Sequence, residues 1–293
     1  MTSVFGWKVL RDFCLLLALT AAGCASIRST QSRASSPAEA TRLVKQFHGN
    51  YEERRAASQS LIELGSPALP ALVAATRDPD PMVRWEAVNT LGYLRLPQAI
   101  PAVLERALAD PDVHARWRSI WSLSSIDDGS AHNQLRKQLT ADDPQRRWNA
   151  AVALGVLGGK EAIPILHEGL KNADSFTRWE AANGLGTTFD QTTPDHLIEA
   201  YRASGTSVRQ EIALSLGRIG TPQVMPGLTS ALDDPEPEVR WRAAMALGWM
   251  RNFNAIALLR ERLANEKDET VRENIETSLK RLAALPKNSP GSL

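Results

Sequence analysis

Residues 78–112 read DPDPMVRWEAVNTLGYLRLPQAIPAVLERALADPD and form one complete unit of a repeat. Val83, Ala87, Leu91 and Leu94 are spaced so that they share one face of a helix. A second apolar segment follows. Both ends of the unit are rich in Asp and Pro, which favour turns and helix starts. The stretch therefore predicts two helices joined by tight turns.

An arginine marks the same place in every unit. Eight arginines recur at intervals of 30 to 32 residues, and a leucine follows each of them seven positions later. They are Arg54, Arg84, Arg116, Arg147, Arg178, Arg209, Arg240 and Arg272. Because one helix pair cannot bury its apolar face alone, neighbouring pairs are expected to stack. We predict an all-α fold, an α-solenoid of about eight helix pairs with a period of about 31 residues, over residues 37–285.

The repeat unit resembles HEAT repeats, in particular the short variety found in phycobilisome lyases. The resemblance covers most of the chain and implies that the second helix of each pair lines a concave surface. It also implies a structural ladder, in which each arginine pairs with an aspartate six positions earlier. Pairs with that spacing are Asp78–Arg84, Asp110–Arg116 and Asp234–Arg240; the other ladder arginines include Arg147, Arg178, Arg209 and Arg272. Before Arg147 and Arg178 the acid is shifted, to Asp142 and Asp174.

Tryptophan follows the arginine in five of the eight units. At about 100° per residue this position points away from the core, and the residues four and eight positions later share its face. The aromatic or large apolar side chains on this face are Trp85, Tyr93, Trp117, Trp121, Trp148, Trp179, Trp241, Met245 and Trp249.

Two interpretations of this aromatic face remain open. Each indole could cover small residues of a neighbouring repeat and brace the stack. Alternatively, the nine side chains could line a groove and anchor an extended partner. Seven uncovered indoles would expose on the order of 1000 Å², and monomers rarely expose contiguous apolar patches above a few hundred Å². The residues that follow the tryptophans are charged or polar, as a hydrated rim would be.

Little in the sequence points to catalysis. We find none of the common nucleotide-binding, zinc-protease or hydrolase motifs. HEAT-like enzymes resembling deoxyhypusine hydroxylase hold two irons with several His-Glu pairs, whereas this chain has one, His167-Glu168, which we expect at a solvated helix position. We expect no catalytic residue, no metal site and no cofactor. A net charge of +1 gives no reason to expect nucleic acid.

The amino-terminal segment reads MTSVFGWKVLRDFCLLLALTAAGC. Its apolar run is too short for the roughly 20 residues that span a bilayer, but it suits a secretory signal. LTAAGC resembles the lipobox of bacterial lipoproteins, which implies removal of residues 1–23 and lipidation of Cys24. Residues 24–36 are predicted to be a flexible tether and residues 286–293 a disordered tail.

Together these features predict a lipid-anchored envelope protein that binds a protein or peptide segment through the aromatic face, without enzymatic activity. Ala25 after the cysteine resembles sorting to the outer membrane, facing the periplasm. A glycan-binding envelope module is the alternative, because indoles also stack on sugar rings. An enzyme of the hydroxylase or bilin-lyase type is a third possibility. The sequence leaves the oligomeric state open.

Overall fold

The computed structural model describes residues 37–126, 129–250 and 252–284. Sixteen α-helices make up this described part of the chain, and it contains no β-strand. The helices follow one another as eight pairs. The predicted all-α repeat fold is therefore confirmed.

Each pair consists of a first and a second helix. The first helices are α1 (Pro37–Val44), α3 (Leu69–Ala75), α5 (Ile100–Ala109), α7 (Ser130–Gln138), α9 (Ile163–Gly169), α11 (Pro194–Arg202), α13 (Met225–Leu232) and α15 (Asn254–Asn265). The second helices are α2 (Tyr51–Leu64), α4 (Pro81–Leu94), α6 (Val113–Ile126), α8 (Pro144–Val156), α10 (Ser175–Gly186), α12 (Thr206–Ile219), α14 (Pro237–Trp249) and α16 (Glu269–Ala283). Short 3₁₀ turns lead into four of the first helices, at Ser66–Ala68, Pro97–Ala99, Lys160–Ala162 and Pro222–Val224.

Five of the second helices begin at an aspartate that caps them. The carboxylates of Asp80, Asp112, Asp143, Asp174 and Asp268 each accept a hydrogen bond from a backbone N–H in the first turn of the helix. Such a cap satisfies a donor that has no partner within the helix. The Asp-rich turns of the sequence thus set where the second helices start.

The core is built from the positions that repeat with the arginine. The leucine seven residues after it is fully buried in the first seven pairs, and Leu279 is partly buried in the eighth. The second helices pack side by side along most of the series. At Gly217 an added Cβ would lie 2.5 Å from the Cβ of Ala246, so only glycine allows α12 and α14 to approach so closely.

The fourth pair departs from this regular stacking. Helix α8 packs against α5, the first helix of the preceding pair, as well as beside α10. The side-chain amide of Asn149 donates a hydrogen bond of 2.8 Å to the backbone carbonyl of Leu108 in α5. This shift brings the second helices of the third and fifth pairs within reach of each other's side chains.

The repeated arginine ties each second helix to the turn before it. In all eight pairs its Nη1 donates to a backbone carbonyl of that turn. The acceptors are the carbonyls of Gly49, Asp78, Asp110, Ala141, Asn172, Ser204, Asp234 and Glu266. This contact explains why the position is invariably arginine.

The carboxylate pairing of the ladder differs from the prediction. Arg84 donates from Nε (2.9 Å) and Nη2 (2.8 Å) to the carboxylate of Asp110, which belongs to the next pair. Asp78, the predicted partner, offers Arg84 only its backbone carbonyl. Its carboxylate instead accepts the N–H of Asp80 and so shapes its own turn.

The three predicted carboxylate pairs, Asp78–Arg84, Asp110–Arg116 and Asp234–Arg240, are therefore wrong. The acid at this position faces the preceding pair, because its own arginine is engaged with the turn carbonyls. The observed ladder pairs are Arg84–Asp110, Arg209–Asp234 and Arg240–Glu266. Arg147 and Arg178 make no ion pair within 4.0 Å among the described residues.

No helix in the described residues is long and apolar enough to cross a membrane. The predicted signal peptide (1–23), the tether with Cys24 (24–36) and the tail (286–293) lie outside the described residues, as does residue 285 at the end of the predicted repeat domain.

Candidate aromatic site on the second helices

The tryptophans that follow the arginines are not freely exposed. Trp117 is buried, with 9% of its surface accessible, and the other four are half-buried. The ring of Trp148 lies directly over Gly169 of α9, where any added Cβ would overlap it. Burial of this kind supports the bracing interpretation for most of the indole surface.

Four rings from two helix pairs form a continuous cluster, which we call the aromatic cluster: Trp117 and Trp121 of α6, and Phe176 and Trp179 of α10. Trp117 meets Trp179 edge-to-face, with ring centroids 5.1 Å apart, and Trp121 at 6.4 Å. Phe176 stacks on Trp179 at 5.9 Å. Contacts of this geometry stabilise aromatic pairs beyond their buried area.

A buried carboxylate lies beneath the cluster. Glu180 of α10 is 4% exposed and accepts hydrogen bonds from the indole N–H groups of Trp117 (3.1 Å) and Trp148 (2.7 Å). Nη2 of Arg116 lies 3.9 Å from the same carboxylate. Burial raises the pKa of Glu180, and the hydrogen bond from Trp148 and the charge of Arg116 oppose that shift. One carboxylate thus links three consecutive repeats.

Four of the polar residues two positions after the repeated arginines do not form the predicted hydrated rim. Glu86, Asn149, Glu180 and Glu211 are each no more than 8% exposed. The prediction was wrong because these side chains turn inward. The three carboxylates accept from donors of other repeats, and the amide of Asn149 donates to a carbonyl of the preceding pair. These bonds offset the cost of burying the side chains.

Glu86 illustrates this arrangement near the start of the array. Nε of Arg54 donates to its carboxylate at 3.2 Å. This hydrogen bond lowers the pKa of Glu86, but burial raises it by more. The guanidinium of Arg118 lies 4.5 Å from the ring centre of Trp85. Trp85 therefore stacks on a cation of the next pair and does not join the aromatic cluster.

Glu211 holds a similar position towards the other end. Its carboxylate accepts from Asn183 (2.9 Å) and Arg218 (2.8 Å). The guanidinium of Arg242 lies 4.1 Å from the ring of Trp241, which is half-buried. Met245 and Trp249 of the same helix are also half-buried.

Sequence reasoning placed Trp117, Trp121 and Trp179 on one face, and the structure brings them together. Trp121 and Tyr93 are the exposed members of the predicted set, at 43% and 61%. Phe176, 41% exposed, was missed. It lies two residues before the arginine, and this position carries no repeated apolar residue that could have singled it out.

A second surface feature surrounds Trp85. Tyr51, Met82 and Trp85 line a cleft of about 370 Å³, with Glu86 and Arg54 also in its wall. Tyr51 and Met82 are exposed at 63% and 44%. Neither was singled out in the sequence. Tyr51 belongs to the first pair, where no tryptophan follows Arg54, and Met82 lies two residues before Arg84, at a position that carries no repeated apolar residue.

Among the described residues, no group of three His, Cys, Asp or Glu side chains is arranged so that it could hold a metal ion. His167 does not lie at a solvated helix position as expected. Its ring stacks on His196 at 3.8 Å and is half-buried. Burial and the neighbouring His196 lower the pKa of His167.

Comparison with known proteins agrees with this architecture. The sequence matches the HEAT-repeat family over residues 40–124, 86–155, 132–210 and 194–280. No curated protein matches it at a significant level.

The chain is similar to several solved structures at low identity. The Escherichia coli protein YibA is 17% identical, with a TM-score of 0.48, over 89% of this chain and 100% of that one. The complex of CpcE and CpcF of phycocyanin lyase from Nostoc is 20% identical, with a TM-score of 0.39, over 61% and 98% of the two chains. Human deoxyhypusine hydroxylase is 20% identical, with a TM-score of 0.38, over 84% and 96%. Because the family match extends from residue 40 to residue 280, the chain belongs to the HEAT-repeat family.

Proposed function

We propose that this protein is a non-enzymatic HEAT-repeat scaffold that binds a polypeptide segment on its second-helix face. The aromatic cluster is the centre of the proposed site, with Trp121 and Phe176 as the contacting side chains. Tyr93 and the cleft at Trp85 extend the site towards one end, and Trp241, Met245 and Trp249 extend it towards the other.

The observation that carries the proposal is the contrast within the aromatic cluster. Trp117 is buried and its indole N–H is fixed by Glu180, while Trp121 and Phe176 remain 43% and 41% exposed beside it. Bracing requires only the buried rings. Aromatic side chains that are held rigid and partly exposed are typical of the residues that dominate protein interfaces.

The ring geometry favours a polypeptide over a glycan. Trp117 and Trp121 are inclined at 40°, and Trp117 and Trp179 at 71°. Inclined rings present edges as well as faces and suit an apolar side chain, whereas a sugar ring stacks on a flat, open face.

Attachment to the cell envelope is part of the proposal. The residues concerned lie outside the described part of the chain, so the support comes from the LTAAGC motif and from cysteine usage. Cys14 and Cys24 are the two cysteines of the sequence. Cys24→Ser should move the protein from the membrane to the soluble fraction; continued membrane association would argue against a lipid anchor.

The binding site is tested with Trp121→Ala combined with Phe176→Ala. Each side chain contributes one ring contact at the surface of the cluster, so the free energy of unfolding should fall by about 1–3 kcal/mol and the fold should persist. Proteins crosslinked to the wild type in envelope membranes should be lost from the double variant. Phe189→Ala removes an aromatic residue that is 45% exposed in a loop outside the site, and it should retain them.

Unchanged crosslinking by the double variant would refute the aromatic site. Bound material that resists protease but is released by glycosidases would favour the glycan alternative. Two iron ions per purified chain would contradict the proposal that the protein is not an enzyme.

A further inference from the structure

The arginine ladder is interrupted in the middle of the array. The ladder acid lies three residues before the first residue of a second helix, and it is present at Asp78, Asp110, Asp234 and Glu266. In the fourth, fifth and sixth pairs the same position holds Ala141, Asn172 and Ala203. The arginines of the third, fourth and fifth pairs therefore lack the acid that the next pair would supply.

A complete ladder contact shows what is missing. Arg240 donates from Nε (2.8 Å) and Nη2 (3.0 Å) to the two carboxylate oxygens of Glu266, and its Nη1 donates to the turn carbonyls of Asp234 and Pro235. Two parallel hydrogen bonds of this kind match the planar guanidinium to a carboxylate. Glu266 is 5% exposed, so the contact is sealed from solvent.

Arg178 keeps one half of this contact. Its Nη1 donates to the carbonyls of Asn172 (2.6 Å) and Ala173 (2.9 Å), as Arg240 does in its own turn. The guanidinium is thereby held in the ladder orientation, with its other edge towards the place of the missing acid. Nε of Arg178 is buried and has no hydrogen-bond partner in the described residues.

Arg147 is held in the same way. Its Nη1 donates to the carbonyl of Ala141, and no carboxylate of the described residues lies within 4.0 Å. The ladder position of the next pair is Asn172, whose Oδ1 accepts the N–H of Asp174. The acids of the complete contacts make the same bond, so Asn172 replaces a carboxylate oxygen by an amide NH₂, which cannot accept from Arg147.

The residues at the positions of the missing acids lie at the surface. Asn172 and Ala203 are exposed, whereas Asp110 and Asp234 are 2% and 5% exposed. Arg116 differs from Arg147 and Arg178, because it has Glu180 at 3.9 Å. We call the edges of Arg147 and Arg178 that face Asn172 and Ala203 the open ladder slots.

Neighbouring acids do not fill these slots. Asp143 and Asp174 cap α8 and α10 through the backbone N–H groups of Gln145 and Thr177. Those bonds, with a smaller contribution from the charge of Arg178, lower the pKa of Asp174. Its carboxylate remains committed to the helix start.

We propose that the two open ladder slots bind two carboxylates of an acidic segment of a partner polypeptide. In each slot the guanidinium is held by its turn carbonyls, and the edge that Arg240 offers to Glu266 has no carboxylate partner in the described part of the chain. Packed helices lie about 8–10 Å apart, which is close to the span of about three residues of extended chain. The matching partner carries acidic residues three positions apart. These residues are separate from the aromatic cluster, so the inference goes beyond the function proposed above.

The test uses the full-length chain in detergent and the peptide acetyl-Glu-Ala-Ala-Glu-amide, with acetyl-Gln-Ala-Ala-Gln-amide as its neutral match. Binding is followed by the ¹⁵N-resolved Nε–H resonances of the arginines. The glutamate peptide should shift the signals of Arg147 and Arg178, and the glutamine peptide should not.

The decisive variant combines Asn172→Asp with Ala203→Asp, which supplies both missing acids within the chain. It should weaken binding of the glutamate peptide at least tenfold. Ala173→Asp adds a negative charge at an exposed position beside the slot and should weaken binding less than threefold. Trp121→Ala with Phe176→Ala should leave binding unchanged.

Three results would overturn the inference: equal binding of the two peptides, undiminished binding by the variant with filled slots, or loss of binding in the variant of the aromatic cluster. The last result would place the peptide on the aromatic face. If the variant of the aromatic cluster still crosslinks to its partners while the glutamate peptide binds as expected, the proposed function is refuted and the inference about the open ladder slots is retained.

Discussion

Replacing Glu266 by glutamine removes the most heavily used carboxylate of the ladder. Its two oxygens accept from Arg240 at 2.8 and 3.0 Å, from Nε of Arg262 at 2.9 Å and from the backbone N–H groups of Lys267 and Asp268, both at 2.9 Å. The substitution keeps the shape of the side chain, and it exchanges one acceptor oxygen for a donor and removes the charge.

The pKa of Glu266 gives the magnitude. Burial would raise it, but the hydrogen bonds from Arg240, the amide of Asp268 and Arg262 outweigh burial and lower it from 4.5 to about 2. At about 1.36 kcal/mol per unit, the charged form contributes about 3 kcal/mol to stability above pH 4.5. Breaking a buried ion pair by removing one partner has a similar cost, about 3–5 kcal/mol.

The sign of the pH dependence follows from the lowered pKa. The unfolded chain binds the proton first as the pH falls, so the contribution is complete above the unfolded value of 4.5 and declines towards the folded value of about 2. Near pH 3 it is reduced to roughly 1.4 kcal/mol. Glu266→Gln should therefore cost about 3 kcal/mol at pH 7 and less than half of that near pH 3.

Urea unfolding followed by tryptophan fluorescence measures both differences. Glu276→Gln, at an exposed site on α16, is the matched control and should change stability by less than about 0.5 kcal/mol. A loss below about 1 kcal/mol for Glu266→Gln at pH 7, or equal losses at both pH values, would refute the role of the charge in this contact.

Three further predictions test the packing, the buried carboxylate and the histidine stack. Gly217→Ala should cost about 1–3 kcal/mol in urea unfolding, because the new Cβ would meet Ala246, whereas Gly205→Ala, with open space around it, should cost much less. Trp148→Phe keeps an aromatic ring in α8 but removes the bond to Glu180 and the outer ring atoms that cover Gly169, and it should cost about 1.5–3 kcal/mol; an equal cost for Trp85→Phe would show that the indole–carboxylate bond is not responsible. His167 has a pKa lowered first by burial and then by His196, with Asp190, Lys171 and Glu168 as the other charges around it, so stability should rise with pH up to about 6.5. His167→Gln should flatten the thermal-unfolding profile in that range, and an unchanged slope would contradict the assignment.

The fold could be predicted because the contacts that define each helix pair are made between residues of the same repeat. Arginine meets the carbonyls of its own turn, and the leucine seven positions later is buried in its own pair; both contacts are local. The ladder partners could not be predicted from spacing within one repeat. The carboxylate that Arg84 binds belongs to the next pair, and only the packing of the pairs decides which acid it meets.

The aromatic cluster could be predicted only in part for the same reason. Trp117 and Trp179 are two repeats apart, and regular stacking would have kept them separate. They meet because α8 shifts towards α5, with Asn149 donating to the carbonyl of Leu108. Nothing in the repeated positions signals that shift.

The two interpretations of the tryptophans turn out to describe different parts of the same side chains. The indole N–H groups of Trp117 and Trp148 point inward to Glu180, which is too deeply buried to remain unpaired at acceptable cost. That requirement fixes the rings and links three repeats, and it explains the burial that bracing predicts. It does not explain why Trp121 and Phe176 extend the same cluster to the surface, since neither ring bonds to Glu180. Because its buried rings are fixed and its outer rings are exposed, the cluster is preorganised for contact with a partner, which lowers the entropy lost on binding.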